Sequence, residues 1–185
     1  MIKAGYLAKH VVMKPDWLNA TRVVDIYSVS GCISGDFADY IGYWRHNGYW
    51  LFDSPSIIRD LAEQKNISLA GCTLFYYEVH ELQFNDKKSA WEGFAPEPSF
   101  PLAVESPRYA TLAGYDVVSC SAGASPECSP LSCNGLAKEI ATNSHCLLES
   151  LEDAKQLLEQ GRFVNCEPGP YRIFSVYTET VEQWG

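Results

Sequence analysis

Most apolar residues of this chain fall in short stretches of strand length, and only two segments carry the apolar spacing of a helix. Helical spacing occurs at 54–66, which opens with Ser54-Pro55, and at 150–161, which opens with Ser150 and ends at Gly161. The strand-like stretches are 3–12, 22–33, 40–46, 49–53, 69–84, 115–120 and 171–178. This pattern predicts an α+β fold with a mostly antiparallel sheet of about 5–7 strands and two main helices.

The chain has the length of one domain, with 185 residues. Its proline-rich part, 86–107, contains Trp91, Phe94 and Phe100, whereas a linker between domains would be more polar. We therefore expect a long cover loop packed on one end of the sheet, and a single domain over 1–185. No internal repeat is apparent.

The dipeptide Asn47-Gly48 lies between two of the strand-like stretches, which is typical of a two-residue hairpin turn. Paired across that turn, both faces of the hairpin carry aromatic side chains. Such a hairpin is either central to the sheet or offers one face to a partner. The candidate binding residues are Tyr43, Trp44, Arg45, Tyr49 and Trp50.

The formal net charge of −9 argues against binding to nucleic acid or to an anionic membrane surface. It is compatible with a protein partner, which would then be basic. No stretch approaches the length of a membrane span, and Lys3, Lys9 and His10 interrupt the apolar N-terminus, so no signal peptide is expected. Seven cysteines without an export signal predict a cytoplasmic protein with free thiols.

Four of the seven cysteines fall in the Cys/Ser/Pro-rich segment 115–146. In one interpretation they are small buried side chains in a turn-rich stretch. In a second, Cys133 or Cys128 is a nucleophile near a predicted helix start, where N–H groups lower a thiol pKa. Ser129-Pro130 predicts such a start, with Ser129 as the cap. The base would then be His145, His80 or His46, and the carboxylate that orients it Glu127 or Glu139.

A third interpretation is a structural zinc site. No other cofactor is expected. Cysteines separated by four residues are at the upper edge of zinc-site spacing, and two prolines interrupt the pattern. The candidate ligands are Cys120, Cys128, Cys133 and Cys146, with His145 as a substitute.

Two functions follow as hypotheses. The first, which we favour from sequence, is a small acidic binding or inhibitor protein, similar in profile to immunity proteins, that engages a partner through its aromatic surface. The second is a thiol-dependent enzyme with Cys133 or Cys128 as nucleophile and a histidine base. A structural zinc site in 120–146 is a further alternative.

Overall fold

A six-stranded antiparallel sheet is the centre of the fold, and the predicted α+β class is confirmed. The computed structural model describes residues 1–31, 47–95, 103–120 and 127–179. A second, two-stranded sheet and a short 3-10 turn, Leu136–Lys138, complete the regular structure. The elements are β1 (Ile2–Lys9), β2 (Val12–Met13), β3 (Asp25–Ile26), α1 (Pro55–Lys65), β4 (Thr73–Val79), β5 (Leu82–Asn85), β6 (Ala90–Gly93), β7 (Ala110–Ser119), α2 (Pro130–Cys133), α3 (Leu151–Glu159) and β8 (Tyr171–Glu179).

Strand β8 is the axis of the large sheet. One of its edges pairs with β7 along its whole length. The other edge pairs with β5 at Tyr171 and with β4 from Phe174 to Glu179. Strand β1 lies outside β4, and β6 lies outside β5. The sequence-distant strands β4 and β8 are therefore neighbours, and residues of β8 belong to both hydrophobic clusters of the described structure.

Both main helices form where the capping signals predict them. The Ser54 hydroxyl accepts the Ile57 N–H of α1, Pro55 occupies the first turn, and Asn66 ends the helix in a left-handed conformation. The Ser150 hydroxyl accepts the Asp153 N–H of α3 in the same way. Helix α1 packs on β1, and α3 packs on β7 and β8.

The two halves of the chain share a local structure that sequence analysis did not detect. In each half an Ala-Gly-Tyr triplet lies at a strand bulge, and a distant asparagine donates its side-chain amide to the alanine carbonyl. The asparagine carbonyl oxygen then accepts the N–H groups two and four residues further on. The first set is Asn47 with Ala4 (2.7 Å), Tyr49 (3.1 Å) and Leu51 (3.2 Å), and the second is Asn143 with Ala113 (2.7 Å), His145 (2.9 Å) and Leu147 (3.1 Å).

The likeness continues through the next elements. Each triplet tyrosine forms an isolated bridge with the residue five positions after the asparagine, and the serine two positions later caps the helix. The residue three positions after the asparagine is left-handed in both halves, with a φ of 59° at Trp50 and 61° at Cys146. The matching pairs are Tyr6–Phe52 with Tyr115–Leu148, Ser54 with Ser150, Ile58 with Ala154, and Ala62 with Leu158.

Strands β4 and β8 place these halves about a two-fold pseudo-axis. Gly5 of the first triplet pairs with Tyr77, and Gly114 of the second pairs with Val176. Tyr77 and Val176 are themselves directly opposite each other across the β4–β8 pair. The described residues thus repeat one local arrangement on a single sheet, which we call the internal duplication; the sequence analysis, in which no repeat was apparent, did not reveal it.

The hairpin expected at Asn47-Gly48 is not formed on its second arm. Residues 47–53 make bends with a single bridge to Tyr6, because the Asn47 side chain takes the N–H groups that a hairpin would have paired. Asn47 itself is fully buried. The first arm, 40–46, lies outside the described residues.

The structure also corrects two predicted strands and the predicted cover loop. The stretch 69–84 is two strands, β4 and β5, separated at His80, whose backbone N–H bonds to Ile173. The cover loop 86–107 contains β6, which forms a hairpin with β5, and its residues 96–102 lie outside the described part. The stretch 22–33 contains only the short β3 within its described residues.

Candidate functional site

A cluster of polar side chains is buried between β1, β7, α2 and the segment that follows β3. Two of its members, Lys9 and Asp116, carry ionisable groups in the protein interior, with 2% and 1% of their surfaces exposed. Three serine hydroxyls accompany them. The buried members are Lys9, Ser28, Ser30, Asp116 and Ser129, and the half-buried Cys133 lies beside them.

A chain of hydrogen bonds runs from the Cys133 thiol to the Asp116 carboxyl. Asp116 Oδ2 accepts the Ser129 hydroxyl at 2.6 Å, and Ser129 Oγ is 2.6 Å from Ser28 Oγ. Ser28 Oγ is 2.9 Å from Ser30 Oγ, which lies 3.8 Å from Cys133 Sγ. Four contacts therefore connect the thiol with the carboxyl.

The direction of this chain follows from counting protons. An ionised carboxylate only accepts, so the single hydroxyl proton of Ser129 is committed to Asp116. Ser28 must then donate to Ser129, and Ser30 must donate to Ser28. The thiol is left as the donor at the Cys133–Ser30 contact. All the donors thus point toward Asp116 when that group is ionised.

Lys9 fixes the segment that carries two of these hydroxyls. Its Nζ donates to the backbone carbonyls of Ser28, Val29 and Ser30 at 2.9, 3.1 and 3.0 Å. From the other side, Asp116 Oδ2 accepts the Val29 N–H at 2.8 Å. The segment 28–30 is therefore held between one buried cation and one buried carboxyl.

Burial raises the pKa of the Asp116 carboxyl to about 7, because desolvation disfavours its charged form. Hydrogen bonds from Ser129 and from the Val29 N–H oppose the shift, as does the charge of Lys9. A carboxyl with this pKa can take up and release a proton near neutral pH.

The internal duplication has apolar residues at the positions equivalent to these charges. Asp116 is two residues after Gly114, and the matching residue of the first half is the buried Leu7. Lys9 is four residues after Gly5, and its counterpart is the buried Val118. Leu7 and Asp116 even pair with equivalent phenylalanines, Phe75 and Phe174. Because buried charges are costly, their presence at one of two equivalent positions indicates a role other than packing.

Cys133 is at the end of α2 and not beside a helix start, which corrects the expected source of its reactivity. The predicted cap, Ser129, makes no side-chain bond to the helix backbone, because its hydroxyl is directed to Asp116. Cys128 is buried and its Sγ donates to Asn134 Oδ1 at 3.4 Å. Of the two candidate nucleophiles, the structure connects Cys133 to the polar cluster.

The predicted base, His145, has a carboxylate partner that sequence analysis did not name. Its Nδ1 is 2.6 Å from Asp25 Oδ1, and its ring stacks on Tyr27 at 4.1 Å. The proposed orienting residues are elsewhere. The backbone N–H of Glu127 donates to Ser119, and Glu139 forms an exposed ion pair with Lys138.

Of the other predicted bases, His80 accepts the Leu82 N–H at Nδ1, and its ring meets the edge of Trp91. His46 lies outside the described residues. A further thiol–imidazole contact joins Cys72 Sγ and His10 Nε2 at 3.5 Å.

The alternative zinc site finds no support in the geometry. Cys120, Cys128, Cys133 and Cys146 all belong to the described residues, in which no group of three or more His, Cys, Asp or Glu side chains could hold a metal ion. Burial raises the pKa of the Cys120 thiol to about 11 and that of Cys146 to about 12, so both remain protonated thiols.

Most of the predicted binding residues cannot be placed. Tyr43, Trp44 and Arg45 lie outside the described residues. Tyr49 is 2% exposed and belongs to the core, and Trp50 is half-buried in its left-handed bend. Within the described residues, no helix is long and apolar enough to cross a membrane.

Sequence reasoning missed Lys9, Ser28, Ser30, Asp116 and Ser129 as site residues. One available signal was a charged residue inside an apolar strand pattern, which Lys9 and Asp116 both show. The serines gave no such signal.

Comparison with protein-family models, with curated proteins and with solved structures found no match for this chain.

Proposed function

We propose that this protein is a thiol-dependent enzyme in which Cys133 is the nucleophile and Asp116 the proton acceptor. The observation that supports the proposal is the directed chain of three hydroxyls between Cys133 Sγ and Asp116 Oδ2. A buried carboxyl at the end of such a chain can draw a proton from the thiol as sulfur attacks. The substrate would be a small molecule or a modified side chain with an electrophilic carbon.

The proton balance of the first step is simple. A bond forms between Cys133 Sγ and the substrate carbon, and the thiol proton moves to Ser30. Each hydroxyl passes its own proton on, from Ser30 to Ser28 and from Ser28 to Ser129, so that Asp116 Oδ2 ends protonated. When the bond from carbon to the leaving group breaks, the proton returns along the same chain to that group. Water or a second nucleophile then bonds to the carbon as the carbon–sulfur bond breaks, and the proton that it releases restores the Cys133 thiol.

The same arrangement specifies a pH dependence. Attack with proton transfer requires Asp116 to be ionised, and its pKa is about 7. We therefore expect the reactivity of Cys133 to rise through neutral pH, and not only near the ordinary thiol pKa of about 8.5. General-base assistance of this kind contributes typically 100-fold or more.

Thiol-reactivity mapping tests the proposal. The folded protein is labelled with iodoacetamide between pH 5.5 and 9, and the rate at each cysteine is read by mass spectrometry. Cys133 should react faster than the half-buried Cys166, whose pKa is raised by burial. In Asp116→Asn, which keeps the shape of the side chain, the rate at Cys133 should fall at least about 10-fold and lose its inflection near pH 7.

The rate at Cys166 in the same variant is the matched control and should not change. An unaltered Cys133 rate in Asp116→Asn would contradict the proposal. So would fast labelling at Cys72 alone, which would assign the reactivity to its contact with His10.

The hypothesis of a binding or inhibitor protein with a basic partner stays a prediction. Three of its five residues lie outside the described part of the chain, and Tyr49 is buried. Cytoplasmic location likewise stays a prediction from the cysteine count.

A further inference from the structure

We infer that Lys9 is a positioning residue of the Cys133 site, which acts by holding the segment 28–30 against Asp116 and Cys133. Its effect on reactivity rests on the proposed function, whereas its effect on the segment does not. No motif in the sequence indicates this role, because Lys9 is 19 residues from Ser28 in the chain and 107 residues from Asp116.

The contacts of Lys9 define what it does. An ammonium group has three N–H donors, and three successive carbonyls accept from Nζ. Three successive peptide carbonyls can converge on one point only if the backbone between them curves around it. The curvature turns the Ser30 hydroxyl toward Cys133 Sγ and the Val29 N–H toward Asp116 Oδ2.

The charge of Lys9 also acts on Asp116 directly. It lowers the pKa of that carboxyl against the larger opposing effect of burial. A neutral side chain at position 9 would therefore leave Asp116 protonated over a wider pH range. The proton acceptor of the chain would be weakened at neutral pH even if every hydroxyl stayed in place.

The second half of the duplication has an apolar residue at the position equivalent to Lys9. Its counterpart in β7 is Val118, which is fully buried and apolar. A buried lysine is costly unless its donors are satisfied. At the equivalent position of the same sheet, an apolar valine is buried without this cost. The contacts with 28–30 and the charge of Asp116 offset this cost.

The test replaces Lys9 with methionine, which keeps the length of the side chain and removes the ammonium. The control is Lys3→Met on the same strand, where Nζ makes one exposed contact with Ser106 Oγ. Hydrogen exchange of the Val29 and Ser30 amides is measured together with the rate of Cys133 labelling across pH. In Lys9→Met both amides should exchange at least 10-fold faster, and Cys133 labelling should slow by a similar factor with its inflection moved to higher pH. Lys3→Met should change neither quantity.

Two measurements keep the inference separable from the proposed function. If Cys133 in the wild type shows no enhanced reactivity, the proposed function fails, and faster exchange in Lys9→Met still supports the positioning of 28–30. If amide exchange and Cys133 labelling are both unchanged in Lys9→Met, the inference is overturned and the proposed function stands.

A second comparison applies if Lys9→Met does not fold, since it leaves Asp116 without its nearby cation. Asp116→Asn is then compared with the double variant Lys9→Met/Asp116→Asn, in which both buried charges are removed. Faster exchange of the Ser30 amide in the double variant supports the inference, and equal exchange overturns it.

Discussion

Asp116 combines two properties that rarely occur in one carboxyl of a folded protein. It is buried in the middle of a strand, and its hydroxyl and amide donors come from two different segments, at Ser129 and Val29. Desolvation outweighs these donors, so the folded state holds the proton at pH values where the unfolded chain has lost it. The residue therefore offers a base near neutral pH and lowers the stability of the fold when it ionises.

This cost gives a prediction for Asp116→Asn. The folded pKa is about 7, against 3.8 for the ordinary group, so between these pH values the folded state binds more protons than the unfolded state. The free energy of unfolding contributed by Asp116 is then highest below pH 4 and falls as the pH rises to 7. The full change is roughly 4 kcal/mol if the whole shift is realised.

Urea unfolding of the wild type and of Asp116→Asn at pH 4.5 and pH 8 measures the effect. Groups common to both proteins cancel in the difference between them. We expect the wild type to lose stability relative to the variant on going from pH 4.5 to pH 8. A difference that is the same at both pH values would show that the pKa of Asp116 is not raised.

At the scale of elements, the arrangement repeated in each half, an Ala-Gly-Tyr triplet bonded to a distant asparagine, depends on the glycine of the triplet. Gly5 and Gly114 have φ values of 135° and 148°, which residues with a side chain rarely adopt. A Cβ on Gly5 would lie 2.6 Å from the Phe52 carbonyl oxygen, and one on Gly114 would lie 2.8 Å from that of Leu148. The absent side chain is what lets the capped loop before each helix approach the bulged strand.

Gly5→Ala and Gly114→Ala should therefore each destabilise the protein, by about 1–3 kcal/mol for backbone strain alone. At each glycine the obstructing atoms include a backbone carbonyl oxygen and a leucine Cβ, neither of which is the end of a flexible side chain, so the neighbours cannot move away at little cost. Gly93→Ala is the matched control, because no atom lies within 4 Å of the Cβ it would gain. Chemical denaturation of the three variants gives the comparison. Equal stability of Gly114→Ala and Gly93→Ala would contradict the role assigned to the bulge.

The sequence predicted the elements that depend on local signals. Ser54 and Ser150 cap helices because their partners are three residues away. The dipeptide Asn47-Gly48 is an equally local signal, but the hairpin that it predicts is not formed on its second arm. The Asn47 amide instead donates to the carbonyl of Ala4, 43 residues earlier. Ser129 misled for the same reason, since Asp116 takes the hydroxyl that a cap would use.

The candidate site was predictable only in part. Cys133 was named from the cysteine-rich segment, but the groups that act on it come from β1, from the segment after β3 and from β7. No spacing rule connects residues that are 87 or 103 positions apart. The duplication was hidden as well, because the two halves agree in structure at many positions and in residue identity at few.

At the scale of the whole molecule, the polar cluster is assembled across the two halves. The first half contributes Lys9, Ser28 and Ser30, and the second contributes Asp116, Ser129 and Cys133. Pairing of β4 with β8 at the centre of the sheet joins the halves that carry these two sets. At this boundary one pair of equivalent positions holds the buried Lys9 and Asp116, and the other holds the apolar Val118 and Leu7.

This assembly predicts that the reactivity of Cys133 requires both halves. Two fragments, 1–95 and 103–185, are produced together and separately. We expect them to associate in a 1:1 complex, because β4 and β5 of the first fragment both pair with β8 of the second, β4 over six residues. In that complex Cys133 should react with iodoacetamide at the rate of the intact protein. In fragment 103–185 alone it should react no faster than Cys166, since Ser30, Ser28 and Lys9 are absent. Light scattering establishes the stoichiometry, and fast labelling of Cys133 in the isolated fragment would show that the first half contributes nothing to the thiol.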